Sequence, residues 1–270
     1  MDPKSFTEQL LFSTVLIRML DVKMQPFGHG TGFLYLLDLA PGGGQQKILL
    51  VSNKHVLNKC RAISIDFHAQ QNNLPILDNV ITVQLRYDDV WHHDTADVAC
   101  IDITESVKEF QERIYIRCVG EDSLLDSSDE LLDVHQDIFF VGYPLRIYDK
   151  KNYLPIVRSG ITASHPNIPF NGKPEFIIDA SVYEGSSGSP VFLDLLKPNL
   201  ALGKLAMGAA PKCIGIISTN FNVLSELKEV SLPSEKLASS QVVGLATVCN
   251  SQTIREVVGQ VSASYKLRNP

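Results

Sequence analysis

The stretch EGSSGSP (184–190) places three hydroxyls, Ser186, Ser187 and Ser189, between two glycines and a proline. Such a run is either a flexible linker or a tight turn that presents one hydroxyl to a substrate. A serine hydroxyl is a weak nucleophile at neutral pH and needs a base beside it, itself oriented by a third group. The chain has seven histidines, His29, His55, His68, His92, His93, His135 and His165, and none follows Ser187. This excludes the hydrolase class whose chain order is serine, acid, histidine, and which needs G-x-S-x-G where Ser189 stands here. The order histidine, acid, serine stays open. His55 follows the apolar run Ile48–Val51 in ILLVSNKHVLNKC, and Asp97 opens another in HDTADVACIDI. Singly, each reads as a polar cap or a turn residue. Together, 42 and 90 residues apart, each sits where a strand meets a loop.

The elements that must position these residues read mostly as strands. Thr14–Leu20, Gly32–Leu37, Ile48–Ser52, Ala62–Phe67 and Val80–Arg86 form a first group. In the last, Ile81, Val83 and Leu85 alternate with Thr82, Gln84 and Arg86, the two-residue period of a half-buried strand. Pro41–Gln45 reads as a hairpin loop. A second group follows at Ile138–Val141, Ile156–Ser159, Phe176–Ala180, Pro190–Leu193, Cys213–Ser218 and Val242–Val248. Ser5-Phe6-Thr7-Glu8 matches a capping box and predicts a short opening helix. Ile254, Val257 and Val258 recur at helical spacing behind a serine cap and predict a closing helix over Ser251–Gln260. Between the groups, residues 121–133 carry six acids in thirteen positions, which marks either a linker or a solvated acidic helix. The expected organisation is a first β-unit over 1–120, an acidic linker over 121–134 and a second β-unit with the closing helix over 135–270.

The bulk numbers exclude several function classes. A chain of 270 residues fits one large domain or two small ones. The formal net charge of −6 argues against nucleic acid as the main partner, because phosphate binding needs a basic stripe. No run reaches the ~18 apolar residues of a membrane span, and the N-terminus does not read as a secretory leader. Five scattered cysteines, Cys60, Cys100, Cys118, Cys213 and Cys249, suit reduced thiols and a cytoplasmic location. Cys100 and Cys213 fall in apolar runs and read as buried fillers. Trp91-His92-His93-Asp94 is an exposed loop beside the Asp97 strand rather than a metal site, since no third ligand stands at useful spacing. Residues 142–160, rich in Tyr, Pro and Lys, read as a long hairpin or as a loop at the cleft.

At this point the chain resembles the chymotrypsin-fold, trypsin-like serine peptidases, and within them the bacterial HtrA-like branch. HGTGFLY (29–35) resembles that branch's Gly-x-Gly-Phe strand, VSNKHVL (51–57) its histidine motif and ADVACI (96–101) its aspartate motif. DASVYEGSSGSPVF (179–192) is similar to the serine motif, CIGIISTN (213–220) to the substrate-pairing strand and VGLATVCN (243–250) to the last barrel strand. The likeness runs from about Thr14 to Gln260, and no PDZ-type segment is expected after it. It implies an all-β fold of two six-stranded Greek-key β-barrels, chymotrypsin-like, with short terminal helices and the active site between the barrels. It implies a triad of His55, Asp97 and Ser187, with the N–H groups of Gly185 and Ser187 as the oxyanion hole, and neither metal nor organic cofactor. The implied function is a serine endopeptidase acting on protein or peptide substrates. The alternative is a silent binding module of the same fold.

The departures from the family pattern carry expectations of their own. Ser186 stands where secreted members carry the aspartate that pairs with a new N-terminus, so zymogen cleavage is not expected. Control then falls to an activating protein partner or a conformational change. Val56 replaces a disulfide cysteine. The resemblance puts Ser181 at the floor of the specificity pocket, Asn220 and Gly244 on its walls, Ser218 on the substrate-pairing strand and Glu184 at the rim. With no carboxylate at 181, a small or medium uncharged residue is expected before the cut.

Overall fold

A computed structural model describes the chain except residues 41–43, 127–128, 196–209, 227–237 and 269–270. At 220–226, 238–243 and 268 it describes the backbone alone. The hairpin loop expected at Pro41–Gln45 lies largely outside the described residues.

The opening helix α1 (Phe6–Ser13) forms as expected, because Ser5 Oγ accepts from Glu8 N and the Glu8 carboxylate accepts from Ser5 N. Seven strands follow: β1 (Thr14–Leu20), β2 (Pro26–Asp38), β3 (Gln46–Ser52), β4 (Ala62–Gln71), β5 (Leu74–Arg86), β6 (Trp91–His92) and β7 (Ala99–Asp102). All pairs are antiparallel, and the sheet order is β5-β4-β1-β2-β3-β7-β6. The expected six strands are thus joined by β6, which is two residues long and invisible to a periodicity argument. Two short helices, α2 (Lys54–Leu57) and α3 (Thr104–Lys108), follow β3 and β7.

The second unit is the expected closed six-stranded barrel. It comprises β8 (Asp137–Gly142), β9 (Ile156–Thr162), β10 (Glu175–Asp179), β11 (Pro190–Leu193), β12 (Lys212–Glu226) and β13 (Ala238–Asn250), closed in the order β10-β13-β12-β11-β8-β9. The closing helix α4 (Ser251–Arg268) runs eight residues past the expected end.

Each unit has its own apolar interior. Ile17, Leu34, Leu50, Ile63, Ile65 and Val83 fill the first. Phe140, Phe176, Ile178, Val191, Ile217 and Val248 fill the barrel. A third cluster joins Phe33, Tyr35 and Val51 of the first unit to Phe192 and Ile216 of the barrel, and α4 seals it with Ile254, Val257 and Val261. Each such side chain contributes about 1.5–3 kcal/mol by leaving water, so α4 is part of the core rather than an appendage.

The acidic connection does not form the solvated helix that its charge also allowed. Leu124, Leu125 and Leu132 are buried, and among the described residues of the segment only Glu121–Ser123 makes a 3₁₀ turn. The Glu121 carboxylate accepts from Tyr35 Oη at 2.8 Å and from Arg255 Nε of α4 at 2.6 Å. The segment therefore laces β2 to α4 while crossing between the two units.

Candidate active site

His55 lies on α2, the single helical turn that follows β3, and Asp97 lies in the turn before β7. Because β3 and β7 pair directly, with Ser52 opposite Ala99, the two residues meet. Asp97 Oδ2 is 2.6 Å from His55 Nδ1, and Asp97 Oδ1 accepts from His55 N at 3.1 Å. Asn53 fixes the same turn from below, its Nδ2 donating to the Asp97 carbonyl at 2.6 Å. An ionised carboxylate can only accept, so Nδ1 carries the imidazole hydrogen and Nε2 keeps its lone pair. This is the tautomer that a general base needs.

Ser187 sits in the turn between β10 and β11, where Gly185 and Gly188 have φ of +89° and +90°. A Cβ on Gly188 would stand 1.8 Å from the Thr31 carbonyl oxygen, so only glycine fits there. The turn is bolted to the first unit through Thr31 of β2. Thr31 N donates to the Ser187 carbonyl at 2.9 Å, and Thr31 Oγ1 donates to the Gly185 carbonyl at 2.7 Å. The same Oγ1 accepts from Tyr143 N at 3.1 Å, and Ser52 Oγ donates to the Thr31 carbonyl at 2.7 Å. Thr31 is fully buried. Sequence reading placed it inside a motif without giving it a role, because its partners are 112 and 154 residues away.

His55, Gly185, Ser187 and Glu184 line one cavity of about 250 Å³, together with Gly28 and His29 of β2. The N–H groups of Gly185 and Ser187 donate no hydrogen bond among the described residues. Ser187 Oγ donates to the Ser218 carbonyl of β12 at 3.1 Å, and no hydrogen bond joins it to His55 among the described residues. Ser186 is buried and the side chains of Ser186 and Ser189 make no hydrogen bond there, which fits turn packing rather than nucleophilic attack.

Of the residues expected around the substrate, the structure groups only some. Glu184 lines the cavity. Ser218 is buried, and its hydroxyl donates to Asp97 Oδ2 at 3.1 Å, so its side chain faces the acid rather than a ligand. Ser181 is exposed and Gly244 is half-buried with φ +83°, and neither lines the cavity. Asn220 pairs with Ala246 in the β12–β13 ladder, and its side chain lies outside the described residues.

Two histidines missed by the sequence reading flank the site. His93 was expected in an exposed loop, yet it is 9% exposed. Its Nδ1 accepts from Thr95 N and Ala96 N at 3.1 and 2.8 Å, and its Nε2 is 2.7 Å from Glu256 Oε2 on α4. It shapes the turn that carries Asp97. His29 accepts at Nδ1 from Arg146 Nε at 3.0 Å, so its hydrogen sits on Nε2, which is buried and unpartnered among the described residues. Burial first, and the Arg146 charge second, hold its pKa below the ordinary value, against the pull of Glu184. Arg146 belongs to the 142–160 segment, the connection between β8 and β9. Leu145 and Arg146 have φ of 50° and 56° there, and Leu145 N donates to the Glu184 carbonyl at 2.7 Å. One end of that segment is therefore held against His29 and Glu184, two of the residues that line the cavity.

The thiols do not compete as nucleophiles. Cys100 and Cys213 are fully buried as expected, and burial pushes both up, Cys213 to about 12.

Residues 30–195 match the family described as the trypsin-like peptidase domain. No curated protein matches the chain by sequence. Among solved structures, the serine endoprotease from Yersinia pestis superposes with a TM-score of 0.51 at 14% identity, covering 97% of this chain and 68% of its own. The apo MamO protease domain from Magnetospirillum magneticum gives 0.50 at 13% identity, covering 93% and 98%. The thermostable serine protease AL20 from an extremophilic microorganism gives 0.51 at 10% identity, covering 94% and 98%. At these identities the likeness is one of fold, and it is the two-unit β-architecture described above.

Proposed function

The chain belongs to the trypsin-like peptidase family, and on that premise we propose that it is a serine endopeptidase whose triad is His55, Asp97 and Ser187. The observation that carries this reading is the Asp97–His55 pair at 2.6 Å, with His55 and Ser187 lining one cavity. His55 Nε2 takes the Ser187 proton as Oγ attacks the scissile carbonyl, and the N–H groups of Gly185 and Ser187 receive the oxyanion. His55 then passes the proton to the leaving amine, and water hydrolyses the acyl-enzyme by the same steps in reverse order. Asp97 keeps the imidazole in its tautomer and stabilises the cation that forms.

A second reading, a silent binding module, is favoured by one observation: Ser187 Oγ points to the Ser218 carbonyl rather than to His55. A fluorophosphonate probe separates the two. The endopeptidase is labelled in the wild type, Ser186→Ala and Ser189→Ala, and unlabelled in Ser187→Ala. Absence of wild-type labelling, with and without candidate protein activators, gives the silent module. We further propose a cytoplasmic location and control through a protein contact, since all five cysteines are free thiols and no N-terminal ion pair can form at Ser186.

A further inference from the structure

The cavity beside Ser187 does not end at His29. Its walls Phe27 and Lys59 are shared with a larger groove of about 750 Å³, between the β1–β2 turn and the start of β4. The groove is apolar along one side, where Phe27 is 52% and Val22 96% exposed. Its other side carries Lys59, Arg61 and Arg86, all exposed. None of the three makes an ion pair or a side-chain hydrogen bond among the described residues. Two acids also line it. Asp21 is turned into its own loop, accepting from Lys23 N and Gln25 N at 2.8 Å, and Asp88 is exposed. In a protein of formal net charge −6, a groove with three unpaired cations is of the opposite sign to the whole. β12 meets Ser187 through the Ser218 carbonyl, and none of its described side chains lines this groove.

We propose that this groove receives the part of a substrate polypeptide that follows the cut bond, and that it selects acidic residues there. The proposal rests on the peptidase reading, because continuity with the Ser187 cavity is what identifies the occupant. On that reading β12 is the strand that pairs with the acyl side of the substrate, which leaves the path past His29 and Phe27 to the leaving side. Glu184 stands at the near end and opposes an acid next to the bond. Lys59 stands at the junction of the two and Arg61 and Arg86 line only the outer groove, so the preference falls on later positions, with an apolar residue set against Phe27. Exposed charges of this kind act through encounter and salt-dependent attraction.

The test uses two arms. In the first, Ser187→Ala protein binds fluorescent peptides that share one sequence before the bond and carry Asp/Glu, Gln or Lys/Arg in the segment after it. The acidic peptide binds about tenfold more tightly than the neutral one, the order expected for two or three exposed ion pairs. The difference disappears near 1 M salt, where the screening length is about 3 Å. Lys59→Glu, Arg61→Glu and Arg86→Glu combined reverse the order so that the basic peptide binds best, a gain that misfolding cannot produce. In the second arm, wild-type kcat/KM follows the same ranking. Equal binding of all three peptides by a protein whose wild type is labelled by the fluorophosphonate overturns the groove and leaves the peptidase standing. Charge-selective binding with no labelling leaves the groove and removes the peptidase. A wild type that is dimeric in sedimentation, and monomeric after charge reversal, assigns the groove to a second copy and overturns the proposal.

Discussion

Ser187 donates its hydroxyl to the main-chain carbonyl of Ser218 at 3.1 Å, while the hydroxyl of Ser218 donates to Asp97 Oδ2 at the same distance. One residue of β12 therefore holds Ser187, the proposed nucleophile, at one end and Asp97, the proposed acid, at the other. For attack, Ser187 Oγ turns from β12 toward His55 and gives up a neutral hydrogen bond, at a cost of about 1 kcal/mol. That is about fivefold in rate, small beside what the triad contributes.

Ser218→Ala removes one of the bonds that orient the Asp97 carboxylate and leaves the Ser187–carbonyl contact in place. The expected outcome is a fall in kcat of about tenfold with KM nearly unchanged, because the lost bond acts on the imidazole and not on the substrate. Ser218→Thr keeps the hydroxyl and recovers part of the rate. Steady-state kinetics on a peptide substrate read both. A rise in KM at constant kcat would return Ser218 to the substrate side.

Thr31 holds the serine turn across the two units. Thr31→Val keeps the shape and removes the hydroxyl, so the Gly185 carbonyl and Tyr143 N–H lose a partner in a buried place. Each unpaired group costs about 1–3 kcal/mol. The expected loss of stability is about 2–6 kcal/mol by urea unfolding, together with slower labelling of Ser187, since the turn that carries Ser187 loses one of its anchors to β2. Thr31→Ser restores most of both.

What was legible in the sequence follows from what is local. The capping box at Ser5, the alternation in Val80–Arg86 and the apolar spacing of Ile254, Val257 and Val258 are decided by neighbours in the chain, and the structure has them as expected. Sequence pointed to His55, Asp97 and Ser187 only through the likeness of their motifs to a family, since the same chemistry runs in several chain orders. The single turn α2 was not legible, since four residues carry no period and Asn53 makes no side-chain cap. Nor was the role of His93, whose partner Glu256 stands 163 residues away. The two readings left open for residues 121–133 could not be separated from their charge, because Leu124, Leu125 and Leu132 decide where the segment lies. Tertiary contacts of single polar side chains leave no pattern to read.

His93 links α4 to the acid of the triad. Its Nδ1 accepts two N–H groups of the turn before Asp97, and its Nε2–H donates to Glu256. His93→Ala leaves both N–H groups unpaired, and the expected result is a kcat about tenfold lower at unchanged KM, with a stability loss of about 1–2 kcal/mol. His93→Asn, whose Oδ1 can take the place of Nδ1, recovers part of kcat. Glu256→Gln retains an acceptor oxygen and has little effect. If His93→Ala lowers stability alone and kcat stays put, the turn holds Asp97 without it.

Stability falls in mild acid, and two histidines set the direction. His68 is buried at 6% exposure, its Nε2 is 2.8 Å from the Asn152 carbonyl, and the edge of its ring meets Phe12. Burial, more than any neighbour, lowers its pKa below the ordinary 6.5, against the Asn152 bond and the Asp66 charge. His29 is lowered in the same sense by burial and by Arg146. Between the folded and unfolded pKa values the unfolded chain binds more protons, so the unfolding free energy rises with pH there. The contribution is complete above the unfolded value and is lost as pH falls toward the folded one. Urea unfolding at a series of pH values is expected to give a plateau above about pH 7 and a decline toward about pH 5. His68→Gln keeps a donor for the Asn152 carbonyl and removes the titrating group, so it flattens part of the slope while leaving the plateau nearly in place. A slope that His68→Gln does not change would assign the acid sensitivity to other groups.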